Sequence, residues 1–177
     1  MASRIRELAC EKSEQLWEVL ERLVEIRRQA LRAAEQMRRR MAREAADDTV
    51  TRRLMTVPGV GPLTATAFVA TIDDPKRFRS SEQVAAYLGL VPSVAQSGEL
   101  EVHGRITREG DGMLRGYLVE AAHVLLTRKR SSCRLKRWGL KLAKKKGHGK
   151  ARVAVARKLA VLLHRLWITG ESYQATA

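Results

Sequence analysis

Aromatic residues are scarce in this sequence, at 5%, and cysteines number only two. Cys10 and Cys133 are far apart and lack metal-ligand spacing, which argues against a disulfide framework and against a cysteine-based zinc site. With few rings available, a core must be built from Leu, Val, Ile, Ala and Met. No apolar run approaches the roughly 18 residues that a membrane span needs. The opening MASRIRELACEKSEQ has no apolar stretch behind its charges, so a secretory signal is not expected and the setting is a reducing one, the cytoplasm. Gly and Pro are absent from residues 4–47, and Asp and Glu are absent between Arg128 and Lys150.

What is present is apolar and basic. The chain has 177 residues, 45% of them hydrophobic, enough for one ordinary domain or a small domain with an extension, and too many for general disorder. Lys and Arg number 34 against 19 Asp and Glu, a net charge of +15, and the pI is near 10.7. Such a balance points to a polyanionic partner, nucleic acid before an anionic membrane.

The stretch 4–47 is dense in Glu, Arg, Ala and Leu, all good helix formers. Leu16, Val19, Leu23, Ile26, Ala30, Ala33, Met37 and Met41 recur at steps of 3 and 4, a heptad-like seam. Acidic Glu18, Glu21 and Glu25 come early, and Arg38, Arg39, Arg40 and Arg43 late. A helix of about 40 residues would run about 60 Å. Its seam needs a second chain or another part of a longer protein, unless the helix packs on its own domain. The expected organisation is a coiled-coil helix over 1–50, self-associating as a homodimer or higher oligomer, and a helical domain over 51–177.

That domain opens on Val57-Pro58-Gly59-Val60-Gly61-Pro62, ahead of an apolar run from Leu63 to Ile72. The pattern resembles the helix-hairpin-helix, a motif that grips the sugar–phosphate backbone without reading bases. Gly59 and Gly61 would allow positive φ and close approach of a phosphate. Pro62 suits a first helical turn whose free N–H groups attract an anion. Gly59, Val60, Gly61 and Thr64 are accordingly the candidate backbone contacts; the alternative is a tight turn between packed helices. A helix over Ser81–Leu88, capped by Ser80 or Ser81, follows.

Residues 92–112 are irregular, with Gly98, Gly104, Gly110 and Gly112 close together and a weak alternation that suits a short β-hairpin. Such loops between rigid helices often carry functional groups. Helical periodicity returns at Leu114, Leu118, Ala121, Ala122 and Leu125, and a closing apolar helix is expected over 151–168. Between them lies the acid-free basic block, including Lys129, Arg130, Lys136, Arg137, Lys144, Lys145, Lys146 and Lys150. It fits a phosphate-contacting surface, with a merely solvated basic face as the alternative.

From Leu54 to Tyr173 the sequence resembles the C-terminal transposase domain of the IS one-ten family, insertion-sequence recombinases guided by a bridge RNA. The motifs are TVPGVGPLTA at 56–65, RF at 77–78, YLGLVPS at 87–93, QSG at 96–98, GRIT at 104–107, LR at 114–115, LVEAA at 118–122 and KARVAVARKLA at 150–160. Each is weak alone; their order and spacing are specific. The preceding helix is similar to the family's coiled-coil segment.

The resemblance implies a serine nucleophile that attacks a DNA phosphate and forms a phosphoserine intermediate. The serine precedes a glycine between the GLVP and GRIT motifs, which here is Ser97 before Gly98. A serine hydroxyl needs a base or nearby cations to react. Arg105, Arg108 and Arg115 follow closely and are candidates to support the charge of the transition state, with His103 a weaker candidate base. The alternative for Ser97 is a turn residue bonding its own backbone. The family's N-terminal half, a RuvC-like domain whose acidic tetrad binds Mg2+, has no counterpart among these residues. No cofactor is therefore expected of this chain itself, and DNA, guide RNA and a RuvC-like domain are its implied partners.

The expected fold is mainly α: a long N-terminal coiled-coil helix, then a compact helical domain with the helix-hairpin-helix and a small irregular or β-hairpin insertion at 93–110 presenting Ser97. Two functions remain open, a serine-bearing half of a DNA recombinase and an inert nucleic-acid-binding and oligomerisation module. A stand-alone helix-hairpin-helix structural protein is a third, weaker one.

Overall fold

The computed structural model describes residues 14–97, 100–128 and 133–174, with only the backbone described at 14–15, 94–97 and 100–103. Within these residues the fold is mainly α, seven helices and one two-stranded antiparallel sheet. The chain divides into two compact units, Met1–Arg43 and Glu44–Ala177.

The first unit is carried by helix α1, Glu14–Asp47, whose last residues enter the second. It is laced by ion pairs one turn apart: Arg28 to Glu25 at 2.7 Å, and Arg38 and Arg39 to Glu35 at 2.7 and 2.9 Å. The Arg38 and Arg39 bonds hold the Glu35 carboxyl down to about 2. These exposed pairs, one turn apart, favour the helix only weakly because solvent screens them. The seam is uncovered in the single chain: Leu16, Val19, Leu23, Ile26 and Met37 are 44%, 57%, 56%, 56% and 64% exposed.

The second unit is built around the last helix. Its elements are α2, Thr49–Leu54; α3, Pro62–Ile72; a 3-10 turn, Pro75–Arg77; α4, Ser81–Tyr87; α5, Gly112–Thr127; α6, Arg134–Lys146; and α7, His148–Thr169. Strands β1, Pro92–Ser97, and β2, Leu100–Ile106, form a hairpin between α4 and α5. Helix α7 packs against α2, α4, α5, α6 and the 3-10 turn, burying Val155, Leu159 and Leu163 among Leu54, Phe68, Leu88, Leu118 and Leu125. Each such side chain contributes about 1.5–3 kcal/mol through removal from water.

Polar groups fix the ends of these elements. Asp48 caps α2 by accepting the Thr51 amide at 2.7 Å, and the Thr51 hydroxyl donates to the Ala45 carbonyl at 2.7 Å. At α4 the expected serine cap is replaced. Ser80 makes no side-chain capping bond, and Gln83 Oε1 instead accepts the Arg79 amide at 2.9 Å. Ser81 turns its hydroxyl to Nδ1 of His164, 2.9 Å away. His164 is buried, and its Nε2 donates to the Pro75 carbonyl at 2.8 Å, so one imidazole ties the 3-10 turn and α4 to α7.

Candidate nucleic-acid interface and serine hairpin

The loop between α2 and α3 is held by its own amides. Met55 N–H donates to Thr51 O, Val57 N–H to Leu54 O and Val60 N–H to Val57 O, at 2.9, 3.1 and 3.0 Å. Val57 and Val60 are buried, and so is Thr64 on α3. The Val60 and Thr64 side chains therefore face the core rather than a ligand, and what this loop offers an anion is backbone. The Leu63 and Thr64 amides lie in the first turn of α3, where helix geometry supplies no acceptor.

Of the two glycines, Gly59 takes the positive φ that the sequence allowed and Gly61 does not. Gly59 has φ +93°, and a Cβ there would stand 2.5 Å from the Ala121 carbonyl oxygen and 3.2 Å from Leu125 Cβ. Its backbone approaches α5, so packing rather than a phosphate requires glycine. Gly61 has φ −103°, extended backbone open to any residue, and a Cβ there would meet nothing within 4 Å. Gly61 is the position with room for a ligand.

The basic block resolves into a helix and its flanks. On α6, Arg134, Arg137, Lys141 and Lys144 recur at steps of 3, 4 and 3 residues, share one face and are exposed. The opposite face is pressed close to the core through Gly139, where a Cβ would come within 2.7 Å of both Leu126 Cδ2 and Val155 Cγ2. Among the described residues no cation of α6 forms an ion pair. Lys144, Lys145 and Lys146 occupy the last turn, where they also complement the helix dipole. Lys150 is exposed near the start of α7.

Lys136 departs from the rest: half-buried, its Nζ donates to the Arg128 carbonyl at the C-terminal end of α5. It stabilises a helix end instead of projecting from the basic face. Lys129 and Arg130 lie outside the described residues, as does Gly98.

The hairpin that the alternation suggested is present. Ser97 ends β1 opposite Leu100, and the register shifts between Pro92 and Val94, where Ser93 faces both Gly104 and Arg105. This bulge is fastened by the Ser93 hydroxyl, which donates to the Arg105 carbonyl at 3.0 Å. The side chains of Ser97 and His103 lie outside the described part of the structure.

The three arginines do not gather around Ser97. Arg105 is five residues along β2 from Leu100, hence about 16 Å along the strand from Ser97. Arg108, at φ +60°, lies beyond the hairpin base, where its amide donates to Gly89 O at 3.2 Å. Arg115 is committed to structure: its Nη1 donates to Leu88 O and to Glu109 O, both at 3.0 Å. It ties the end of α4 to the loop after β2. Arg105 and Arg108 remain exposed. Replacing Arg115 by Met should cost about 2 kcal/mol of stability through two lost charge-assisted bonds. The measurement is urea unfolding, with faster proteolysis between Thr107 and Asp111 as the local readout.

The segment at 76–79 carried no candidate site in the sequence, although KRFR was visible there. The Arg77 guanidinium lies over the Phe78 ring at 4.8 Å and the Tyr87 ring at 4.7 Å. Elsewhere in the unit, the Tyr173 amide donates to Thr56 Oγ1 at 2.9 Å, binding the C-terminal segment to the α2–α3 loop. Burial, then a hydrogen bond with the Cys133 thiol, pushes the Tyr173 phenol up to about 12.

Among the described residues no three His, Cys, Asp or Glu side chains stand together as a metal site would require. The described side chains do not fit a magnesium centre. No helix among them is long and apolar enough to cross a membrane.

The sequence comparisons identify a transposase domain. The profile of the Transposase IS116/IS110/IS902 family matches residues 51–138, and the chain belongs to this family, as its C-terminal domain. It is 37% identical over 129 residues to a putative transposase of Sinorhizobium fredii, covering 72% of this chain and 33% of that protein. It is 36% identical over 126 residues to the transposase for insertion sequence element IS1111A of Coxiella burnetii, covering 71% and 35%. The transposase for insertion sequence element IS1328 of Yersinia enterocolitica is 35% identical over 105 residues, covering 59% and 31%. The chain thus spans about a third of the length of these relatives.

Proposed function

We propose that this chain is the nucleic-acid-gripping, serine-bearing part of a transposase that cleaves and rejoins DNA. The exposed face of α6, whose cations have no acidic partner among the described residues, carries the reading: such a surface is stabilised when a polyanion neutralises it. The open backbone at Gly61 and the first turn of α3 supply a second phosphate contact, and exposed Arg105 and Arg108 a third. A guide RNA is a second polyanion for the same cations.

Ser97 is the nucleophile in this reading. Its oxygen bonds to phosphorus, its proton passes to a base, and the sugar oxygen on the far side of that phosphorus leaves and is protonated as a hydroxyl. Attack by a sugar hydroxyl on the phosphoserine reverses the step and rejoins a strand. With Arg105, Arg108 and Arg115 at the hairpin base, the groups that stabilise the transition state come from elsewhere, such as a second copy paired through the uncovered seam of α1. The setting is the prokaryotic cytosol, where DNA and guide RNA are both at hand.

The salt dependence of binding tests the grip. The chain should bind a 20-base-pair duplex with an affinity that falls steeply with KCl. Replacing Lys144, Lys145 and Lys146 together by Gln should lower the log–log slope by up to about 2.7, near 0.9 per phosphate released. An unchanged slope removes α6 from the interface. The second reading, an inert binding and assembly module, predicts the same salt behaviour and differs only in the chemistry of Ser97.

A further inference from the structure

We propose that Arg77 is a further, pre-oriented phosphodiester contact, separate from the basic face of α6 and built by the aromatic pair Phe78 and Tyr87. The inference rests on the reading that this chain binds nucleic acid. A free arginine on a surface samples many rotamers, and ordering it on binding opposes association. Here the guanidinium lies over two rings, 4.8 Å from the Phe78 centroid and 4.7 Å from that of Tyr87. The rings are themselves fixed, meeting edge to face at 5.4 Å, with Phe78 edge to face on the buried His164 ring at 5.7 Å. His164 in turn holds Pro75 O and Ser81 Oγ, the two ends of the segment that carries Arg77. A frame anchored in α7 thus reaches the guanidinium through two rings.

The group at the end of this frame is available. Arg77 is exposed, and among the described residues its guanidinium makes no ion pair and no hydrogen bond. The nearby carboxylate of Asp74 accepts the Lys76 amide at 2.9 Å instead. Stacked arginines keep their planar N–H fork free at the edge, the geometry that matches two phosphate oxygens. Exposed Lys76 and Arg79 flank it. The site also lies apart from α6. Helix α6 meets α7 around Val155 and Lys158, whereas the frame meets it at His164, six to nine residues onward or about 9–13 Å along the axis. The two sites are thus anchored at different turns of α7.

The test uses the 177-residue chain, a 20-base-pair DNA duplex and a structured RNA, each titrated over a range of KCl. Arg77→Gln should lower the slope of log affinity against log salt by about 1 on whichever polymer the site holds, with an unchanged melting temperature. Tyr87→Leu, which keeps the charge but frees the guanidinium, should weaken binding several-fold at nearly unchanged slope. Arg77→Lys should behave like Tyr87→Leu. A lowered slope on DNA alone, RNA alone or both supports the site and identifies its ligand. An unchanged slope for Arg77→Gln, while Lys144→Gln lowers it, overturns the site and leaves the basic face of α6 intact as the interface. Binding by the unsubstituted chain that does not respond to salt overturns both.

Discussion

Ser97→Ala should eliminate a covalent protein–DNA adduct while leaving DNA affinity within about twofold. On the proposed reading, the adduct is sought with a RuvC-like half supplied in trans, a guide RNA and a nicked target, as a denaturant-resistant species whose attachment point is mapped. If Ser97 is the nucleophile, as proposed, its removal takes away the oxygen that forms the ester, so the expected loss is at least about a thousandfold. Affinity is spared because α6 and the first turn of α3 do not depend on that hydroxyl. Equal loss of adduct and affinity would show that Ser97 serves the hairpin's shape instead. An adduct that persists at full yield in the variant would place the nucleophile at another residue, Ser93 being the other serine between the GLVP and GRIT motifs. Ser93 is already donating to Arg105 O at the bulge, which argues for a structural hydroxyl there.

Gly59→Val should destabilise the second unit by about 3–5 kcal/mol. A β-branched residue at φ +93° is strained by about 1–3 kcal/mol, and its Cβ would overlap the Ala121 carbonyl at 2.5 Å, adding overpacking of similar size. Against a total stability of about 5–15 kcal/mol, this is a large fraction of the whole. Gly61→Ala, in extended backbone with open space around it, should change stability by less than about 1 kcal/mol. Urea unfolding of the two variants separates the explanations for this glycine pair. If Gly59→Val unfolds like Gly61→Ala and only its DNA binding suffers, the glycine at 59 is there for a phosphate after all.

Much of the fold could be read locally. The absence of Gly and Pro through residues 4–47 and the 3–4 spacing of its apolar residues are sufficient for α1, since a helix depends on neighbours within one turn. The stripe from Leu114 to Leu125 and the apolar closing segment became α5 and α7 for the same reason. The hairpin was faint because two short strands are stabilised by cross-strand pairing, which alternation only hints at. Helix α6 was hidden inside a run of charge, although its arginines and lysines already carried helical spacing. His164 gave no signal as an anchor, because its partners lie 83 and 89 residues away.

The sequence alone determined the class, the charge and the kinship: a mainly helical, strongly basic chain with an uncovered seam and the ordered motifs of one transposase family. Only the tertiary structure decided which of its cations are free. Lys136 and Arg115 look like their neighbours in composition, yet the fold spends both on backbone carbonyls. Arg105, within reach of Ser97 by residue count, stands at the far end of the hairpin because an extended strand advances about 3.3 Å per residue. Conversely, Arg77 gains its fixed orientation from rings and an imidazole brought together across the chain. Local spacing sets the type of element; whether a charged group is committed or available depends on packing between elements distant in sequence.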